Sequence, residues 1–221
     1  DVARPLRRRD ERELDELCGD RAGSRRAGAV ERGGTVAERD EGDRPFMHAV
    51  GADQLRDRGV AQLPGFLTPG AVSQMTAEAD RLAGRAWASD QSHTVYFESP
   101  DDSAGADHPR ALLQHSAKKA VAYDLIPAAA PIRRLYESAD LTAFVAAVLG
   151  KQVLYRSADP LDALEIAIFG DGDELGWHFD NSEFSVTVMY AESEAGGHFD
   201  YYPRLRDERD ENYPGVRKVL L

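Results

Sequence analysis

Val72, Met75, Ala79 and Leu82 recur three and four residues apart, the spacing that gathers apolar side chains on one face of a helix. Thr68 precedes this run and Pro69 follows it, a capping hydroxyl and then a residue suited to a first helical turn. A helix after Thr68 is therefore predicted. The same period returns in Leu141, Phe144, Val145 and Val148, between a Ser138 or Asp140 cap and Gly150, which predicts a helix closed by a left-handed glycine. Pro131 to Glu137 reads as a helical turn and Ala52 to Arg58 as a short helix. Later in the chain the period shortens to two: Leu164, Ile166 and Ile168 alternate with Glu165 and Ala167, the pattern of a half-buried strand. Gly59 to Gly65, Gln152 to Tyr155, Phe184 to Tyr190 and His198 to Tyr202 are also read as extended, with turns at Gly170 to Asp173 and Ala195 to Gly197. Between the first helices and these strands, Ser89 to His115 is polar and lacks a period, so it reads as a long functional loop carrying His93, His108, Arg110 and His115. Helices first and strands afterwards make this an α+β chain.

Residues 1–46 follow neither period. They alternate arginine with aspartate and glutamate, eleven Arg against twelve acidic residues, and such a segment buries too little apolar surface to offset the entropy of ordering. A disordered charged arm over 1–46 and one domain over 47–221 are expected. Met47 stands directly before the first globular-looking sequence, and a natural start near it is the corresponding hypothesis.

The formal net charge of −12 argues against a nucleic-acid surface, which needs Lys and Arg to neutralise phosphates. The longest apolar run, around Phe144 to Leu149, is far short of the roughly 20 residues that span a bilayer, so no membrane partner is expected. Cys18 is the only cysteine; it allows no intrachain disulfide and no cysteine-rich zinc site, and a reducing cytoplasm is the simplest compartment.

Candidate chemistry concentrates in the stretch from Gly172 to Tyr190. His178 and Asp180 are two residues apart, on the same side of an extended backbone. An imidazole and a carboxylate so placed can share one divalent metal, and a second imidazole would complete the two-histidine, one-carboxylate set of a non-haem iron(II) site. The pair can equally be ordinary polar residues at an exposed strand end. Trp177 and Phe179 point away from it, toward a core. Asn181 and Glu183 either line a pocket or cap the turn, and Glu165, opposite Ile166, can reach a basic substrate.

Several stretches in order, Arg58 to Phe66, His108-Pro-Arg110, Asp124 to Pro127, Leu135 to Ser138, Tyr155 to Pro160, Gly176-Trp-His-Phe-Asp-Asn-Ser-Glu-Phe184 and Gly196-Gly-His-Phe-Asp-Tyr201, resemble the iron(II)- and 2-oxoglutarate-dependent oxygenases. The similarity is to the branch holding free-amino-acid hydroxylases and radical halogenases, and it runs from about residue 55 to the end. It implies helices packed on a double-stranded β-helix, or jelly roll, with His178 and Asp180 as metal ligands. It also implies Fe(II) with 2-oxoglutarate as cosubstrate, and oxygen insertion into a small polar substrate such as a free amino acid. In the halogenases the carboxylate position holds a small residue that leaves room for halide, so Asp180 favours hydroxylation. Arg110 is the candidate to pair a carboxylate of 2-oxoglutarate or of substrate, because a guanidinium fork matches a carboxylate.

In that family the second histidine and a further arginine follow some tens of residues after the metal-binding pair. This chain stops earlier, and the expectation is a C-terminally truncated domain lacking its closing strands, with exposed sheet edges. Two alternatives stand beside the dioxygenase. One is a catalytically inactive remnant or binding module of the same fold. The other is a zinc or manganese cupin-like enzyme with His198, the only histidine after Asp180, as third ligand; otherwise His198 is a surface residue.

Overall fold

The computed structural model describes residues 25–26 and 44–221. The arm expected to be disordered lies mostly outside the described residues. Its Arg25–Arg26 forms a two-residue strand, β1, and its last residues open helix α1, Arg44–Arg58. That helix starts before the predicted Ala52. It ends where Gly59 takes a left-handed φ of 74° and its N–H donates to Leu55 O at 2.9 Å, a terminus that costs glycine little. The strand expected from Gly59 to Gly65 is therefore an irregular turn.

Helix α2, Pro69–Leu82, forms as predicted, with the Thr68 hydroxyl accepting from Ala71 N at 3.1 Å. Met75, Ala79 and Leu82 are buried along its inner face. Helices α3, Pro131–Glu137, and α4, Ala139–Val148, follow the predicted pattern; Ser138 caps α4 and Gly150 takes φ 65° after it. Gly51 lets α1 approach α4, since a Cβ there would meet Val148 Cγ2 at 3.1 Å.

The long polar stretch is not a loop throughout. Trp87–His93 is strand β2, and Gln114–Val121 is strand β3, which pair antiparallel from Trp87↔Ala120 to His93↔Gln114. Trp87 is exposed, and the buried positions mix His93 and Ser116 with Val121, so no clean hydrophobic alternation marks them. On its other edge β3 carries β4, Ile166–Ile168, and then β5, Glu174–Leu175, both antiparallel. The predicted strand from Leu164 to Phe169 thus survives as its central part. Strand β6, Asp200–Tyr201, pairs with β1. Gln152 to Tyr155 and Phe184 to Tyr190, expected as strands, have no regular secondary structure and belong to no ladder among the described residues. The C-terminal residues are not strand-like: α5, Tyr213–Leu220, is a helix capped by Asn212, whose side chain accepts from Gly215 N at 3.2 Å.

The result is a mixed α+β fold, five α-helices and a small antiparallel sheet among the described residues. These strands do not by themselves outline a jelly roll. One apolar cluster joins Leu67, α2, Val121, Ile126, Ile132 and Ile166, and a second joins Val95, Leu205 and Val216. Trp177 and Phe179 pack on the second cluster, as their alternation predicts. The candidate stretch is thereby held between the sheet edge and α5.

Candidate functional site

Residues 176–180 continue past β5 along the edge of the sheet. The ladder's last pair there is Ser116↔Leu175. One residue on, the Gly176 N–H donates to the Ser116 hydroxyl at 3.0 Å, and Phe179 N donates to Val95 O at 2.8 Å. Gly176 lies so close to β3 that a Cβ would stand 2.6 Å from His115 O. No side chain fits that approach.

This anchoring brings His178 and Asp180 together. The Nδ1–H of His178 donates to Gly176 O at 2.8 Å, since a carbonyl only accepts, and Nε2 is the nitrogen left for a proton or a metal ion. Nε2 faces Asp180 Oδ1 at 3.2 Å. Two acceptors facing each other are stable only around a shared cation, a proton or a metal ion. Two donors about 2.1 Å from one ion and roughly at right angles stand about 3 Å apart, so the observed separation suits adjacent positions on one ion. Asp180 Oδ2 accepts from Ser185 Oγ, which leaves Oδ1 as the free donor atom. A metal-binding imidazole whose other nitrogen donates to a carbonyl is the usual supporting arrangement.

Phe97 lies against the His178 ring, 5.0 Å between centroids, and against His93, at 4.7 Å. It has φ 56°, a strained value for a large side chain. The turn around it is fixed by Thr94, whose hydroxyl accepts from Glu98 N and donates to Glu98 O. Such strain is found where surrounding structure holds a residue for use.

The described residues include no group of three or more His, Cys, Asp or Glu able to hold a metal. His198, proposed as an alternative third ligand, is exposed and does not join the pair. That corrects the cupin-like reading. His178 and Asp180 therefore fit two positions on a metal ion, and these residues supply no third.

Arg110 lies elsewhere in the same region. It lines a small cavity of about 140 Å³ with Tyr96, Glu98, Phe179, Asn181, Arg206, Glu211 and Tyr213. Its Nη2 donates to both Glu98 oxygens, at 3.1 and 2.9 Å, while its buried Nε has no partner. Arg206 sits 4.1 Å from the Phe179 ring centroid and pairs with Glu211 at 3.0 Å. The Tyr96 hydroxyl is also buried without a partner, and burial, then the Glu211 charge, pushes its pKa up to about 12. It remains a neutral O–H donor at ordinary pH. Through Phe179 and Asn181 this cavity adjoins the His178–Asp180 pair.

Other expected groups are engaged differently. Glu165 pairs with Lys118, and Glu183 pairs with Lys151 at 2.6 Å, so neither faces the cavity. His108 Nδ1 accepts from Arg110 N at 3.2 Å and its ring lies 4.5 Å from that of Tyr213. His115 bridges Glu174 and Asp90, each at 2.9 Å. Tyr96, Arg206, Ser116 and Ser185 stand in no motif that marks them in the sequence. Only Ser116 had a readable signal, a polar residue inside a stretch that proves to be a strand.

No described helix is long and apolar enough to cross a membrane. No curated protein and no solved structure matches the chain. The sequence model of the Halogenase D family matches residues 47–221. The chain belongs to the Halogenase D family, one of the halogenase families within the iron/2-oxoglutarate oxygenases.

Proposed function

We propose that the chain is a 2-oxoglutarate-dependent dioxygenase that hydroxylates a small polar molecule, a free amino acid, rather than halogenating it. The observation that carries this reading is the carboxylate of Asp180, with Oδ1 3.2 Å from His178 Nε2. A halogenase keeps a small residue there so that halide can reach the metal. Here the position is filled by an anionic donor held by Ser185. Membership of a family named for halogenation supports the cofactor class, and Asp180 supports the hydroxylating branch. The jelly-roll reading of the sheet belongs to this proposal too.

His178 and Asp180 would hold iron(II), which when bound with 2-oxoglutarate supplies oxygen activation coupled to decarboxylation of the cosubstrate. The chain's own residues orient the reactants. Arg110 and Arg206 offer guanidinium groups beside Phe179, and either can accept the carboxylate of 2-oxoglutarate or substrate. Glu98 and Glu211 balance these charges. A cavity with equal cationic and anionic groups suits a dipolar ligand, carboxylate on guanidinium and ammonium on carboxylate. Tyr96 adds a neutral donor.

The test is reconstitution of the full chain with iron(II), 2-oxoglutarate, oxygen, chloride and a set of free amino acids, followed by mass analysis. Iron-dependent succinate together with a product heavier by one oxygen atom is expected. A product with chlorine in place of hydrogen would refute the hydroxylating branch. No iron-dependent succinate would leave the chain as a non-catalytic binding module.

A further inference from the structure

The buried polar groups behind His178 form one hydrogen-bonded circuit whose directions are determined by its ends. His93 is 6 % exposed and Ser116 5 % exposed. His93 Nδ1 lies 2.8 Å from Thr94 O, which only accepts, so Nδ1 carries the hydrogen. His93 Nε2 then has only a lone pair, and the partner 2.7 Å away, Ser116 Oγ, must donate to it. With its hydrogen committed, Ser116 Oγ accepts the Gly176 N–H at 3.0 Å. Gly176 in turn offers its carbonyl to His178 Nδ1–H at 2.8 Å. With the His93 ring neutral, this is the arrangement in which each donor of the circuit meets an acceptor.

We infer that Ser116 and His93 are positioning residues for His178: they fix Gly176, whose carbonyl holds the His178 Nδ1–H and so turns Nε2 toward Asp180. The inference rests on reading His178 as a metal ligand. The backbone ladder ends at Ser116↔Leu175, one residue short of Gly176, so the serine hydroxyl continues the hold where main-chain pairing stops. Ser116 and His93 touch neither metal nor substrate. They act through Gly176, whose N–H and C=O belong to consecutive peptide groups joined at its Cα, and the close approach of Gly176 to the His115 carbonyl leaves that residue little freedom while the hydroxyl is present.

The experiment is long-range proton–nitrogen NMR of the imidazoles in the metal-free full chain, labelled at histidine, so that neither metal binding nor turnover enters the readout. In the unchanged protein His178 is expected to carry its Nδ1–H bonded to the Gly176 carbonyl, whether or not Nε2 shares a proton with Asp180, with the Gly176 amide slow to exchange. In Ser116→Ala the His178 signals shift toward a mixture of tautomers and Gly176 exchange quickens roughly tenfold, the scale of one lost hydrogen bond. Ser116→Thr, which keeps the hydroxyl, restores both, an effect that general stabilisation of the fold does not produce. A folded Ser116→Ala chain with the His178 tautomer unchanged overturns the inference. So does an unprotected Gly176 amide or an Nε2–H tautomer in the unchanged protein, a result that is decisive even if the alanine variant does not fold.

Discussion

Asp180 presents Oδ1 to His178 Nε2 at 3.2 Å while its Oδ2 accepts from Ser185. One serine thus decides which carboxylate oxygen is free. Removing it lets the carboxylate rotate between orientations, only some of which suit a shared ion. Ser185→Ala is expected to weaken manganese(II) or cobalt(II) binding about tenfold, the lower end for loss of a supporting contact to a ligand. Calorimetric titration of the full chain checks this.

Gly176→Ala places a methyl 2.6 Å from His115 O and 2.8 Å from Gln114 Cβ. Backbone must move to relieve it. The variant is expected to lose about 1–3 kcal/mol of stability, measured by urea unfolding. The loss should be accompanied by a changed His178 resonance, because residue 176 sets the position of that ring.

His115 joins three strands, with Glu174 on β5 and Asp90 on β2. Hydrogen bonds that the ring donates to Glu174, then to Asp90, raise its pKa above the ordinary 6.5. The folded value is the higher one, so the clasp contributes fully below pH 6.5 and its contribution is lost as pH rises through the folded value. Melting curves from pH 6 upward to about pH 9 should show the unchanged protein losing stability relative to His115→Gln. A constant difference across that range would contradict the sign.

Ile126 is fully buried in the larger apolar cluster. Ile126→Ala should cost about 2–5 kcal/mol, the transfer term plus the cavity it leaves. Urea denaturation measures it.

The sequence foretold what depends on local period and caps. Thr68, Ser138 and Gly150 mark helix ends because capping is decided within a few residues. The sheet was harder to read. The buried positions of β2 and β3 mix His93 and Ser116 with Val121, and Ser116 is buried because His93 and Gly176 satisfy it, a relation between positions far apart in the chain. At the site, His178 and Asp180 were legible from their spacing of two. Arg206 and Tyr96 were not: the first comes from a charged segment near the C-terminus, the second from a turn, and only folding puts both beside Phe179. His198 illustrates the converse, since a suitable residue type after Asp180 stands apart from the pair.

The central claim, that His178 and Asp180 share one cation, is tested most directly by titrating the metal-free chain with manganese(II) while following the histidine resonances. The account predicts saturable binding that broadens His178 first and is lost in both His178→Ala and Asp180→Ala. Broadening centred on His115 with His178 unaffected, or undiminished binding in both variants, would contradict it.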